Sequence, residues 1–292
     1  MRKLFLFLLG FSLVATAQTK TDFTTVFEKS NGLKAATYQE TISFYEKLAK
    51  TYPEISIKTM GLTDSGKPLH LVIFSADKEF DFDKIYKTKK NILLINNGIH
   101  PGEPDGIDAS MMLLRDIVQR KKLKKSFENI VITVIPVYNI GGALNRNATT
   151  RVNQNGPTSY GFRGNARNFD LNRDFIKNDT KNAQSFAEIF HLVKPDVFID
   201  NHVSNGADYQ YTLTHLFTQH NKLGGALGNY IHNTMMPDML SDLKSKGIDA
   251  TPYVNVFNQV PEKGFMQFMD SPRYASGYTT LFNTIGLTLE TH

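Results

Sequence analysis

The sequence predicts an α/β protein with a mixed, mostly parallel central sheet and helices on both faces. Two observations carry that expectation. Short, continuously apolar runs such as Ile92, Leu93, Leu94 and Ile95 are what a strand covered on both faces requires, and they alternate with segments of helical periodicity. Polar side chains capable of chemistry follow directly on several of these runs, and in such sheets ligands collect beyond the carboxyl ends of the strands.

Taken in order, residues 38–51 form a helix with Tyr38, Ile42, Tyr45 and Leu48 on one face. Residues 56–62 and 69–75 are strands joined by a turn at Asp64, Ser65, Gly66, Lys67 and Pro68. A buried strand follows at 91–96, and Asp105 is placed to cap a helix whose core face is Ile107, Met111, Leu114 and Val118. Residues 130–136 make another buried strand. The polar stretch from 141 to 168 is longer than a compact domain usually needs for a connection, which favours a functional loop. A helix at 183–192, a strand at 196–200, a helix over 223–245 and a strand at 284–289 complete the expected fold.

Composition narrows the function. The 292 residues, 41% hydrophobic and 21% charged, are ordinary globular material. The net charge is +5, and part of it sits in clusters at 84–90 and 120–125 that flank apolar segments. These read as solvated helix ends and loops. Nucleic acid would need one basic face with interleaved aromatics, so no nucleic-acid partner is expected. No cysteine occurs, which removes disulfides, a thiol nucleophile and a lipid-modified cysteine. Arg2 and Lys3 precede an apolar run over 4–14 that is too short to span a bilayer, and Ala15, Thr16 and Ala17 supply a small-residue cleavage site. Residues 1–17 are therefore expected to be a signal peptide and residues 18–292 one domain. The mature protein is expected to be secreted or periplasmic in a bacterium, without membrane association once the signal is removed.

Three polar clusters carry the chemistry. His100 and Glu103 follow the apolar strand run at 92–95, and Asp200, Asn201 and His202 follow the one at 197–199. Two imidazoles and a carboxylate presented from strand ends are the usual ligand set of a catalytic zinc that keeps a fourth position for water. Singly, each has a plainer explanation: a helix-start capping pair for His100 and Glu103, a satisfied buried histidine for His202. Asp200 is placed to orient the His202 ring, although strand alternation is equally able to send it elsewhere. The third cluster, residues 168–174 with Arg151, Arg163 and Arg167 upstream, sets a guanidinium beside a side-chain amide. Such a pair suits bidentate grip of a carboxylate; its plainer reading is a surface salt-bridge cluster.

The ordered set His100-Pro101-Gly102-Glu103, Asp170-Leu171-Asn172-Arg173, Asp200-Asn201-His202, a Tyr-rich stretch and Thr288-Leu289-Glu290 resembles the carboxypeptidase A-like zinc metallocarboxypeptidases. Each motif is weakly specific, and their order carries the resemblance, which runs from the strands around residue 56 to the last residue. It implies one zinc per chain held by His100, Glu103 and His202, with Glu290 as general base. Asn172 and Arg173 match the pair that grips the substrate's C-terminal carboxylate. Arg151 matches the arginine that polarises the scissile carbonyl, with Arg163 and Arg167 as alternatives. Tyr274 matches the tyrosine that closes over substrate, with Tyr278 as its alternative, and Leu281 aligns near the specificity pocket. The partner implied is a peptide with a free C-terminal carboxylate.

One departure stands out: family members continue past the catalytic glutamate into a helix packed on the sheet, whereas this sequence ends at His292. The expectation is a missing C-terminal helix and exposed apolar surface. Two other functions are compatible with these residues. One is an amidohydrolase acting on N-acyl amino acids, resembling the aspartoacylase and succinylglutamate desuccinylase branch, against which the signal peptide speaks. The other is a secreted binding protein without turnover, against which the complete ligand set and Glu290 speak.

Overall fold

The computed structural model describes residues 21–152, 154–204, 209–256 and 260–292, so the expected signal peptide lies outside the described residues. Eight strands form one sheet: β1 (Ile55–Leu62), β2 (Pro68–Phe74), β3 (Asn91–Asn97), β4 (Ile130–Ile135), β5 (Val197–Val203), β6 (Leu213–Phe217), β7 (Ala250–Pro252) and β10 (Ile285–Thr291). A separate antiparallel hairpin pairs β8 (Val254–Val256) with β9 (Phe265–Gln267). The spatial order in the sheet is β1-β2-β4-β3-β5-β10-β6-β7. The four central strands, β4, β3, β5 and β10, run parallel, and antiparallel pairings with β2 and β6 flank them. The β1–β2 turn depends on Gly66, whose φ of +77° is costly for residues with a Cβ.

Helices cover both faces. The principal ones are α1 (Tyr38–Thr51), α2 (Asp105–Gln119), α3 (Lys181–Val193), α4 (Met236–Ser245) and the short α5 (Ala275–Thr279). Alternation along β5 and β10 assigns the faces. Phe198 packs on Phe186 of α3, and Thr288 meets Ser276 of α5. Val197, Ile199, Leu287 and Leu289 pack on the other side with Ile231, Met235, Met236 and Met239. Among the described residues, no helix is long and apolar enough to cross a membrane.

The structure departs from the sequence reading in several places. The helix expected over 223–245 starts at Gly225, because Gly224 and Gly225, at φ +61° and +50°, separate it from a turn at His220–Leu223. It runs as Gly225–Tyr230, a π-turn at Ile231–Met235 and then α4. Strands β6 to β9 went unpredicted because three to five residues carry too little alternation to read. Asp105 caps nothing; Pro104 is the N-cap, and Asp105 instead accepts a hydrogen bond from Thr291 Oγ1 at 2.6 Å. On α2, Ile117 is fully buried and Val118 only partly so.

Helix α2 also buries Asp108, whose Oδ1 lacks a partner. Burial pushes its carboxyl up from 3.8 to about 7; Asp105 adds to the rise, and a backbone hydrogen bond with Ala36 opposes it. The folded protein thus holds a proton that the unfolded chain has already released. Stability from this group is full below pH 3.8 and is lost as pH rises through about 7, an effect of at most about 4 kcal/mol. Asp108→Asn is expected to remove that slope. Between about pH 5 and pH 8 the urea midpoint of the unaltered protein should fall further than the variant's. Identical pH dependence in the two proteins would show that Asp108 does not carry the effect.

Candidate metal centre and active site

The register of β5 and β10 pairs His202 with Glu290 and Asp200 with Thr288. Residues two apart on a strand share a face, so these four side chains project to one side near the carboxyl ends. On the other flank of β5, β3 ends at Asn97, and Gly98 at φ +66° turns the chain. His100 and Glu103 follow in a tight turn closed by Glu103 N–H donating to the His100 carbonyl at 2.9 Å.

His100, Glu103 and His202 are buried, and one ligand atom from each lies within 4.8 Å of the others. His100 Nδ1 is 3.1 Å from Glu103 Oε1, and His202 Nδ1 is 2.8 Å from Oε2. Each ring's second nitrogen faces another carboxylate: His202 Nε2 meets Asp200 at 2.9 Å, and His100 Nε2 meets Asp170 at 3.0 Å. Those carboxylates are held in turn, Asp200 by Asn96 Nδ2 at 3.0 Å and Asp170 by Arg163 Nη2 at 2.8 Å. With a cation bound, the carboxylate beside each Nε2 would keep the proton there and leave the Nδ1 lone pair free on the Glu103 side. Two imidazoles and a carboxylate converging on one point suit a cation, and two guanidinium groups border that point, Arg163 Nη1 at 3.2 Å from His100 Nδ1 and Arg151 Nη1 at 2.8 Å from Glu103 Oε1. Neutral imidazoles with one carboxylate are a zinc donor set, so the residues fit that metal.

Charge balance supports this arrangement. Burial would raise Glu103, but His100 and His202 hold its carboxyl well below the usual range. Burial would lower His202, but Asp200 and Glu103 outweigh it and raise the ring's proton affinity, so proton and metal compete for this site. Burial likewise raises Glu290; the charge of His202 works against the rise and that of Glu103 adds to it.

A cavity of about 490 Å³ opens over the triad, lined by His100, Glu103, Arg151, Asn172, Arg173, His202, Tyr274 and Glu290 together. Arg151 donates to Glu103 Oε1 at 2.8 Å and to Gln154 Oε1 at 2.6 Å. Arg173 stacks over the Tyr274 ring at 4.6 Å and donates to the Asn172 carbonyl at 2.8 Å. Asn172 Oδ1 accepts from Ala275 N–H at 3.3 Å, which ties the pair to α5. Arg163 also reaches the cavity, whereas Arg167 stacks on Phe169 outside it. Tyr278, the alternative to Tyr274, is buried in an aromatic cluster with Phe175, Phe186 and Phe190. Leu281 is 51% exposed and does not line the cavity; Leu216, Phe268 and Thr288 do. The sequence reading missed Asp170 and Asn96 as orienters and the wall residues Tyr253 and Phe268. Nothing local in the sequence marks Asp170 as the partner of a histidine 70 residues away.

The zinc carboxypeptidase family's model matches residues 41–196, more than half of the sequence. The chain belongs to that family. The match takes in His100, Glu103, Arg151, Asn172 and Arg173 and stops before His202, Tyr274 and Glu290. Zinc is the metal of this zinc carboxypeptidase family, and the donor set fits it. Carboxypeptidase 2 of Trichophyton equinum is 28% identical over 180 residues, which are 59% of this chain and 30% of that protein. The chain thus spans less than a third of that relative's length. The metallo-carboxypeptidase from Burkholderia cenocepacia superposes with a TM-score of 0.65 at 16% identity, covering 88% of this chain and 60% of that one. Carboxypeptidase A from Helicoverpa armigera gives 0.63 at 15%, covering 87% and 64%. At such identities the likeness is one of fold.

Proposed function

We propose that this zinc carboxypeptidase-family protein is a metallocarboxypeptidase that removes the last residue of peptides bearing a free C-terminal carboxylate. One observation carries the reading: a single cavity holds the His100–Glu103–His202 triad, Glu290 beside it and the Asn172–Arg173 pair. Zinc bound by the triad supplies Lewis acidity, which acidifies a water and polarises a carbonyl. Asn172 and Arg173 hold the substrate's carboxylate, which sets the bond next to it against the triad. Glu290 takes the proton of the attacking water and returns it to the departing amine. Arg151 donates to the carbonyl oxygen as charge develops there, worth on the order of 3 kcal/mol. Tyr274, already stacked on Arg173, closes over the bound end, its ring excluding water and its hydroxyl donating to the bound substrate.

The test is the substrate's carboxylate. Free-acid peptides should be cleaved and their amides spared, and Arg173→Ala should lower kcat/KM on the free acids roughly 10- to 100-fold through loss of a charge-assisted pair. Equal rates of the unaltered protein on acids and amides would sink the exopeptidase reading. The N-terminal pattern over 1–17 supports export as a further part of the proposal; an exported protein whose first residue is Gln18 checks it, and retention of Met1 in that protein counts against it.

A further inference from the structure

The cavity wall that carries Tyr274 is pinned from behind by an ion pair between the partly exposed Lys222 and the buried Asp270. Asp270 is fully buried, and Lys222 Nζ stands 2.5 Å from its Oδ1 while also donating to the Asp270 carbonyl. The Ser276 hydroxyl of α5 also interacts with the carboxylate. Among the described residues, Lys222 is the one cation within 4.0 Å of this carboxylate. Lys222 lies in the short turn that follows β6, so the pair fastens the segment to an element continuous with the main sheet. Further ties surround it. Gln219 Nε2 donates to the Phe268 carbonyl at 3.4 Å, and Ile176 N–H donates to the Pro272 carbonyl at 3.1 Å. Gly277 lets this backbone lie against α5: a Cβ there would stand 2.0 Å from the Ser271 carbonyl oxygen and 2.4 Å from that of Asp270. The segment so held delivers Phe268, Tyr274, Ala275 and Ser276 to the cavity, with Phe268 set edge-on to the Tyr274 ring at 4.8 Å.

Lys222 keeps part of its side chain in water while Asp270 is buried, so a pair with one solvated partner adds little net stability. What it supplies is a single geometry. Here one ammonium grips both the side chain and the carbonyl of the same residue, four positions before Tyr274. We propose that Lys222 and Asp270 are positioning residues: together they fix Tyr274 over the cavity and act on catalysis through that tyrosine without touching substrate. The proposal rests on the carboxypeptidase reading given above.

The test uses the full chain loaded with zinc, carrying Asp270→Asn, Lys222→Met or Lys222→Arg, each with and without Tyr274→Phe. Asp270→Asn and Lys222→Met should lower kcat/KM on a blocked dipeptide roughly 10²-fold, the scale of a misplacement of about 1 Å. Lys222→Arg should recover most of that loss. In the Tyr274→Phe background the same replacements should cost less than about 3-fold, because the hydroxyl they position is gone. Zinc content should be unchanged, and chymotrypsin should cut at Phe268 or Tyr274 faster in Asp270→Asn and Lys222→Met than in the unaltered protein. Equal costs with and without the Tyr274 hydroxyl would mean general loosening and overturn the proposal, as would unaltered kinetics in both single variants. If Asp270→Asn does not fold, Lys222→Met and Lys222→Arg carry the comparison. Should the unaltered protein cleave no peptide, the carboxypeptidase reading fails, and the chymotrypsin comparison still decides whether the pair holds this segment.

Discussion

In Glu290→Gln, turnover is expected to fall by roughly 10²–10⁴-fold or more, while zinc content and substrate binding stay close to those of the unaltered protein. The physical reason is that the replacement keeps shape and removes basicity. Glu290 sits in β10 between two paired strands, aligned with His202 of β5 on one side and Thr214 of β6 on the other. An amide fits that position, so the backbone and the triad stay in place. Burial already raises the proton affinity of the carboxylate, which is the direction a general base needs. The alternative is a solvated carboxylate with only a structural part to play, and it predicts little change in rate. Measuring kcat, zinc content and the affinity of a carboxylate-bearing competitive inhibitor on one preparation separates the two. A variant that hydrolyses peptide at the unaltered rate would rule out the mechanism, whatever the metal analysis shows.

His202→Ala is expected to abolish both zinc retention and activity. Three side chains supply the donor set, and removing one leaves a bidentate site with a much lower affinity. The loss goes beyond one ligand. His202 stands between Glu103 and Asp200, two buried carboxylates, and its removal leaves their charges facing each other, with Asn96, His100, Arg151, Arg163 and the Val203 N–H compensating in part. Breaking a buried pair in this way typically costs about 3–5 kcal/mol, so the metal-free variant should also melt well below the unaltered protein. Metal analysis after dialysis, circular dichroism and a peptide assay read the three effects separately. Stoichiometric zinc retained by a His100→Ala, His202→Ala double variant would show that the metal binds elsewhere.

Long, strongly patterned elements were legible in the sequence because their signal is local. Tyr38, Ile42, Tyr45 and Leu48 recur at helical spacing, and all four are buried on α1. The apolar run at 91–96 and the one at 130–136 form central strands of the sheet for the same reason. The helix read over 223–245 begins two residues late, at Gly225, because Gly224 and Gly225 take positive φ, which apolar periodicity does not register. Strand β6 pairs with β10 and β7 pairs with β6, so each depends on a partner distant in sequence.

Residue types and their order determined the chemistry on offer: imidazole and carboxylate donors after β3 and β5, an amide–guanidinium pair near residue 172, and a carboxylate at the end of the last strand. The tertiary structure alone decided which neighbours act together. The parallel register of β5 against β10 sets Glu290 beside His202 rather than one residue along, where the pleat would turn it to the opposite face. The path of the 141–168 loop brings Asp170 onto His100. The phase of α5 leaves Tyr274 at its N-cap facing the cavity and turns Tyr278, one turn later, into the aromatic core. Each of these choices is a contact between segments far apart in sequence, where packing and strand register set the geometry and no local propensity records it.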